Sequence, residues 1–230
     1  MPGSWMIREL PETERPRERL LEQGSGSLAD SELVAVLLRT GSLGASALEI
    51  ARELLYENGG LAGLLGATPQ TLRRRGLGPA KAASLLAALE IARRLAKEKV
   101  ADEDRDLLSR PAEIARYLSL RYPTGDQEVM GALFLDIRSR LLGEREIFRG
   151  TLDRAAVDPR EILKECLLRN AAGVVLFHTH PSGDPSPSAD DLQFTRHLAD
   201  AAAVLGVKLH DHLVLGSRGR WTSLRDRLAW

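Results

Sequence analysis

The sequence predicts an α/β domain with a mixed sheet covered by helices, preceded by a small all-α domain. Residues 28–96 form short amphipathic segments that glycines separate, and no alternating strand pattern appears among them. After this region, apolar strand-like segments alternate with helical ones, which is the order of an α/β fold. Residues 97–110 are charged and poor in apolar side chains. We therefore predict a helical domain over 1–99, a linker over 100–110 and an α/β domain over 111–230.

The helical region contains several start and stop signals at spacings that suit short helices. Acidic residues begin the segment at Asp30, Ser46 precedes the next helix, and Thr68 followed by proline begins another. The turn GLGP at residues 76–79 leads into a long alanine-rich helix. These signals predict helices over residues 30–38, 46–56, 68–75 and 80–97.

The second region predicts strands and helices in alternation. Two strands about a short turn precede a helix introduced by Asp158-Pro159, and GVVLFH has the continuous apolar content of a buried strand. A further helix and two late strands follow. The predicted helices span residues 111–122, 160–170 and 189–205, and the predicted strands span residues 129–137, 141–148, 173–178, 207–215 and 221–224.

The composition limits the classes of function. The chain has 32 basic and 32 acidic residues, so its net charge gives no general attraction to nucleic acid or membranes. Cys166 is the single cysteine, which excludes a zinc site rich in thiolates and suits a reducing compartment. The N-terminal segment lacks the apolar core of a signal peptide, and the run at 171–177 is far shorter than the roughly 20 residues of a membrane span. We expect a soluble cytoplasmic protein with no membrane contact.

His178 and His180 end the predicted buried strand. In an extended chain, residues i and i+2 project from the same face, so both imidazoles can face one ion. The following segment PSGDPSP can continue neither a strand nor a helix, and it predicts a rigid loop. Ser188 then caps the next helix and places Asp191 on its first turn, where the carboxylate can point back at the histidines. Two histidines and one carboxylate leave a fourth tetrahedral position for water, as in catalytic zinc sites.

Each fragment alone has a simpler explanation, since a His-x-His pair is often incidental and Ser188 with Asp191 is an ordinary capping pattern. Their joint spacing is more specific: His-x-His, seven residues, Ser, two residues and Asp is the motif of the JAMM (MPN+) family. The surrounding sequence, HTHPSGDPSPSADDLQFTRHL with PREI upstream and DHLVLG downstream, resembles the RadC-like branch of that family. The resemblance extends to the helical region, which ends in GLGPAKAASLLAALEIARR.

This resemblance implies a JAMM/MPN+ (cytidine-deaminase-like) fold and a zinc metallopeptidase with one Zn2+ per chain. His178, His180 and Asp191 match the three zinc ligands of the family. Ser188 matches the serine that helps hold the zinc-bound water and stabilise the tetrahedral intermediate. The family also uses a glutamate as general base, on the first strand after the first helix of the domain, and Glu128 fits that place.

Some alternatives stay open. Because Glu128 is assigned from element order, other glutamates can replace it as the base, namely Glu144, Glu146 and Glu161. His210 and His212 lie two residues apart on a late strand. One of them can form a hydrogen bond to a metal-ligating side chain, or have only a structural role in the strand. His197 suits an exposed position on a helix. The zinc deaminase pattern is excluded, since Pro-Cys-x-x-Cys needs two cysteines. Phosphate-cradling loops and nucleotide fingerprints are absent from the sequence.

The helical region has a local excess of positive charge. From Arg73 to Lys99, eight basic residues stand against two acidic ones, a net charge of +6. The GLGP turn resembles a helix-hairpin-helix turn, whose backbone N–H groups hold a DNA phosphate without reading the base sequence. The alternative is a plain helical turn whose arginines are solvated. The residues predicted for DNA contact are Arg73, Arg74, Gly76, Gly78 and Lys81.

Two hypotheses of function follow. The first is a zinc-dependent hydrolase that cleaves a peptide or isopeptide bond in a protein or peptide substrate and is recruited to DNA by its helical domain. The second is a non-enzymatic DNA-associated repair or recombination factor that binds partners through its zinc domain. The complete ligand set favours the hydrolase, because a structural zinc gains nothing from an open coordination position.

Overall fold

The computed structural model describes residues 11–42, 44–74, 77–100, 108, 110–150, 157–225 and 227. The chain divides into two compact units, residues 1–92 and 93–230. The predicted linker at 100–110 lies almost wholly outside the described residues. No helix in the described part of the chain has both the length and the apolar content that a membrane crossing requires.

The first unit is built from short helices: α1 (Pro16–Gln23), α2 (Asp30–Leu38), α3 (Ala47–Asn58), α4 (Leu61–Leu64), α5 (Pro69–Arg74) and the beginning of α6 (Pro79–Val100). A capping box begins α3, in which Ser46 Oγ accepts a hydrogen bond from the Glu49 amide and Ser46 N–H donates to the Glu49 carboxylate. Gly59 ends α3 in the left-handed conformation. Apolar faces of these helices meet in one core that includes Leu38, Leu54 and Leu64.

Four of these helices agree with the sequence prediction, since α2, α3, α5 and α6 overlap the segments 30–38, 46–56, 68–75 and 80–97. The sequence did not predict α1 and α4. Their sequences, PRERLLEQ and LAGL, are respectively too polar and too short to show an apolar repeat of helical period.

The second unit contains a five-stranded mixed sheet, as the sequence predicts. Its strands are β1 (Glu128–Leu135), β2 (Leu141–Gly150), β3 (Gly173–Thr179), β4 (Lys208–Leu215) and β5 (Trp221–Ser223), in the spatial order β2-β1-β3-β4-β5. The pair β3–β4 is parallel, and the other pairs are antiparallel. The helices of this unit are α7 (Pro111–Arg121), α8 (Pro159–Leu168) and α9 (Ala189–Val204).

Helices cover both faces of the sheet. On one face, α7 packs through Leu118 against side chains that include Val175 and Phe177 of β3. On the other face, α8 and α9 pack against Val174 and Leu176. Because side chains alternate along a strand, His178 continues the second set and faces α9 from the central strand. The alternation therefore determines which helix meets the histidine.

Gly131 of β1 lies too close to its neighbours for any side chain. An added Cβ would lie 2.4 Å from Phe177 Cζ and 2.6 Å from the Arg145 carbonyl oxygen. Phe177 cannot move aside easily, because it is completely buried and its ring centroid lies 4.7 Å from that of Tyr122. This position therefore requires glycine for space rather than for backbone conformation.

We predict that Gly131→Ala lowers the free energy of unfolding by about 1–3 kcal/mol, the usual cost of overpacking a core. Urea unfolding followed by far-ultraviolet circular dichroism measures the change. Gly125→Ala is the matched control, since nothing lies within 4 Å of its added Cβ and the position is exposed. Equal stabilities of the two variants would contradict this account of the packing.

Candidate metal centre

Three predicted ligands meet where β3 ends and α9 begins. His178 Nε2 lies 2.8 Å from His180 Nε2, 3.4 Å separate His178 Nε2 from Asp191 Oδ1, and 3.6 Å separate His180 Nε2 from Asp191 Oδ2. Their ligand atoms all lie within 4.8 Å of one another. His178 is completely buried, and the other two side chains are largely buried. The arrangement is compact enough for one ion to contact all three residues.

The second nitrogen of each imidazole is engaged behind the site. His180 Nδ1 lies 2.8 Å from the carbonyl oxygen of Asp184, which can only accept, so Nδ1 donates and Nε2 keeps its lone pair. His178 Nδ1 lies 2.7 Å from His212 Nε2. Of the two alternatives left open for the strand histidines, His212 thus shows the contact with a residue of the centre. His197 lies exposed on α9, as the sequence indicates.

The groups of the site influence one another's protonation. Burial alone would raise the pKa of Asp191, but the His178 and His180 side chains beside it outweigh burial and hold that pKa far below its ordinary value. The Asp191 carboxylate stabilises the protonated ring of His180 and so raises its pKa, and burial opposes the rise. Burial lowers the pKa of His212 well below its ordinary value, so that ring is neutral. Asp191 is therefore a carboxylate throughout the physiological range.

The loop between the histidines and α9 is tied down at its base. The carbonyl of Gly183 accepts hydrogen bonds from the Ser217 amide at 2.9 Å and from the Arg220 guanidinium at 2.8 Å. Gly183 has a φ of +74°, and an added Cβ would lie 2.6 Å from Ser217 Oγ, so both conformation and space require glycine. The His180 amide donates to the Leu215 carbonyl at 3.1 Å. These contacts give the predicted rigid loop its attachment and hold the His180 backbone.

Ser188 caps α9 and orients Asp191. Its Oγ accepts a hydrogen bond from the Asp191 amide at 3.1 Å and donates to Asp191 Oδ2 at 2.6 Å. The Ser188 amide donates to the same carboxylate oxygen at 2.7 Å. The two residues thus form a capping box, as the sequence indicates. A direct role of Ser188 toward substrate stays a prediction.

A cavity of about 410 Å³ lies next to this centre, and Glu128 and Ser188 are in its wall. Glu128 is half-exposed at the start of β1, and its charge acts on His180. The alternative glutamates are engaged elsewhere: Glu144 binds Tyr117 and Arg121, Glu146 binds Arg149, and Glu161 lies exposed on the first turn of α8. Of the four candidate bases, Glu128 is the one that lines this cavity.

The donor set fits a metal ion. If both histidines donate through Nδ1, the two Nε2 lone pairs face each other and the Asp191 carboxylate, with no hydrogen between them. Three electron-rich atoms at such distances repel one another unless a cation lies among them. Two imidazole nitrogens and one carboxylate oxygen are ligand atoms that bind metal ions in proteins.

Thr195 is a residue of this centre that the sequence did not predict. Thr195 lies four residues after Asp191 on α9 and is completely buried, with Oγ1 2.6 Å from His212 Nδ1 and 2.5 Å from the Asp191 carbonyl oxygen. Its i+4 position on the ligand-bearing face was the available signal, since such residues stack one turn apart.

The residues predicted for DNA contact lie in the first unit, and Gly76 lies outside the described residues. Arg73 and Gly78 are exposed, and the backbone of Arg74 ends α5. The ammonium of Lys81 is half-buried and donates to the Gly41 carbonyl, so it has a structural role in the unit. The DNA contact stays a prediction.

Comparisons with known proteins agree with the fold and show the family of the chain. Residues 108–229 match the family described as the RadC-like JAB domain, and residues 7–83 match the UPF0758 N-terminal family. A UPF0758 protein of Halorhodospira halophila is 47% identical over 96% of this chain and 98% of its own length. UPF0758 proteins of Chloroflexus aurantiacus and Geobacillus kaustophilus are 43% and 40% identical, each over 97% of this chain and at least 97% of their own lengths. The chain therefore belongs to the UPF0758 family and contains a RadC-like JAB domain.

Proposed function

We propose that this protein is a zinc-dependent hydrolase that cleaves a peptide or isopeptide bond with water as the nucleophile. The observation on which the proposal depends is the convergence of His178, His180 and Asp191 beside an open cavity that has Glu128 in its wall. A structural zinc would be enclosed by four protein ligands, whereas three protein ligands beside a cavity would leave a coordination position for water or substrate.

His178, His180 and Asp191 would hold the metal ion, with both histidines binding through Nε2. When bound there, zinc supplies Lewis-acid chemistry, polarising water and the substrate carbonyl at neutral pH. Aspartate and imidazole ligands suit this metal better than calcium or magnesium, which prefer a complete shell of oxygen atoms.

Glu128 is the proposed general base. Its carboxylate lines the cavity together with Ser188, and it accepts the proton that the attacking water loses. The same carboxyl then returns the proton to the leaving amine, since a peptide nitrogen must be protonated before it departs.

The cavity suits one amino-acid side chain next to the scissile bond. Met130, Val157 and Phe194 give it an apolar part. Its polar part comes from one face of α9, where Asp190, Gln193 and His197 repeat at helical spacing. A mixed wall of this kind accepts side chains with an apolar stem and a polar end.

Zinc content tests the centre directly. After loading with zinc and desalting, we expect about one zinc per wild-type chain and a sharp loss in Asp191→Ala, because the carboxylate is one of the three ligands that the described residues offer. Elemental analysis measures the stoichiometry. Asp190→Ala is the matched control, since it removes the neighbouring exposed carboxylate from the same helical turn. Zinc-free wild-type protein, or equal zinc in both variants, would show that the metal centre is wrongly assigned.

Glu128→Gln tests the base. Hydrolysis of peptide and isopeptide substrates should fall by about 100-fold or more, within the range for loss of general-base catalysis, while zinc content stays unchanged. Glu161→Gln is the control, because it makes the same change at an exposed site on α8. Full activity of Glu128→Gln with a normal zinc content would show that another group is the general base.

A second proposal concerns the helical unit, in which Arg73 of α5 and Gly78, just before α6, are exposed. We propose that the turn predicted from the GLGP sequence at residues 76–79 contacts DNA phosphates without base specificity. Arg73 and Arg74 are the cations to test, since Lys81 is already bound to Gly41 within the unit.

The double variant Arg73→Ala/Arg74→Ala should bind duplex DNA more weakly at low salt, with the slope of log affinity against log salt reduced by about two. Fluorescence anisotropy at several salt concentrations gives both quantities. Arg17→Ala/Arg52→Ala removes the same charge from two other exposed positions of the unit and should leave the slope unchanged. The same slope in both double variants would contradict a contact at this turn.

A further inference from the structure

A chain of buried hydrogen bonds runs behind the metal centre. The carbonyl oxygen of Asp191 lies 2.5 Å from Thr195 Oγ1, Oγ1 lies 2.6 Å from His212 Nδ1, and His212 Nε2 lies 2.7 Å from His178 Nδ1. Thr195, His212 and His178 are all completely buried. The chain therefore begins on α9, crosses β4 and ends at the metal ligand on β3.

The chemistry of the groups determines which one donates at each step. A carbonyl oxygen can only accept, so the Thr195 hydroxyl donates its single proton to the Asp191 carbonyl oxygen. Thr195 Oγ1 must then accept from His212 Nδ1–H. A neutral imidazole has one N–H, so His212 Nε2 has a lone pair and accepts from His178 Nδ1–H. In a neutral His178, Nε2 is then without a proton, on the side that faces His180 and Asp191.

The backbone of His212 is also held in place. Its amide donates to the carboxylate of Asp211 at 2.7 Å, and this buried carboxylate accepts as well from Ser223 Oγ at 2.8 Å and from the Arg225 amide at 3.1 Å. The ring of His212 therefore has little freedom to turn away from either hydrogen-bond partner.

We propose that Thr195 and His212 are positioning residues that hold His178 in the tautomer with a free Nε2 lone pair, and so prepare it to bind the metal. Asp191 takes part twice, because its carboxylate faces the metal centre and its carbonyl is the first acceptor of the hydrogen-bond chain. The position of α9 and the tautomer of His178 are thus coupled through these buried hydrogen bonds. The inference rests on the metal-binding part of the proposed function and is independent of hydrolysis.

Thr195→Val tests the chain with little change of shape. The valine has no oxygen to accept from His212 Nδ1–H, so the His212 proton moves to Nε2 and donates to His178 Nδ1. The proton of His178 then lies on Nε2, where it blocks the metal. We expect zinc affinity, measured by competition with a chelator, to fall by about 10–100-fold, the usual effect of losing the partner of a metal-ligating histidine. Thr195→Ser keeps the hydroxyl and should keep the affinity within about threefold.

The tautomer itself is the decisive readout, because a merely structural role would not change it. Long-range 1H–15N spectra of the metal-free, 15N-histidine-labelled protein should show His178 protonated at Nδ1 in wild type and Thr195→Ser, and at Nε2 in Thr195→Val. Cys166→Ala, which removes a completely buried side chain from α8, is a control for general loss of core packing. It should leave both the tautomer and the zinc affinity unchanged.

Three outcomes would overturn the proposal: an Nδ1–H tautomer of His178 in Thr195→Val, an Nε2–H tautomer in wild type, or equal loss of zinc affinity in Cys166→Ala. Failure of the proposed hydrolase would look different. If Thr195→Val shows the tautomer change but the wild-type protein cleaves no substrate, the positioning role of Thr195 and His212 stands and only the proposed hydrolysis is wrong.

Discussion

Electrostatic repulsion among the side-chain atoms of His178, His180 and Asp191 is the constraint on which the candidate metal centre of the second unit depends. His178 Nε2 and His180 Nε2 lie 2.8 Å apart, and the Asp191 carboxylate lies next to both. Such a cluster needs a positive charge at its centre, either a shared proton or a metal ion. The fold opposes relaxation of the cluster, because β3 is the middle strand of the sheet and the loop after it is tied at Gly183.

The sheet provides this rigidity through its order and its alternation. Antiparallel pairing with β1 on one side and parallel pairing with β4 on the other leave β3 no free edge. The odd-numbered side chains Val175 and Phe177 pack under α7, so the even-numbered His178 must face α9. The ligand geometry is therefore a consequence of apolar packing on the opposite face as much as of local sequence.

Much of this arrangement could be predicted from the sequence, because the relevant signals are local. Fourteen residues contain His178 and His180 at a strand end, the capping box at Ser188, and the loop rich in glycine and proline between them. These features show the expected structure. The role of Thr195 could not be predicted, since it depends on which β4 residue faces α9. The pairing register between β3 and β4 cannot be deduced from the sequence of either strand alone. The irregular register between Val174 and Val175 shifts that pairing by one residue.

The two roles considered for Ser188 are compatible for a physical reason. In the structure its hydroxyl proton is given to Asp191 Oδ2, which leaves none for a substrate oxygen. The same carboxylate oxygen, however, also accepts from the Ser188 backbone amide at 2.7 Å. If the hydroxyl turns toward a developing negative charge, Asp191 keeps this second donor and is not left without a hydrogen bond. A helix cap with two donors to one carboxylate oxygen can therefore lose one of them while the carboxylate stays in position.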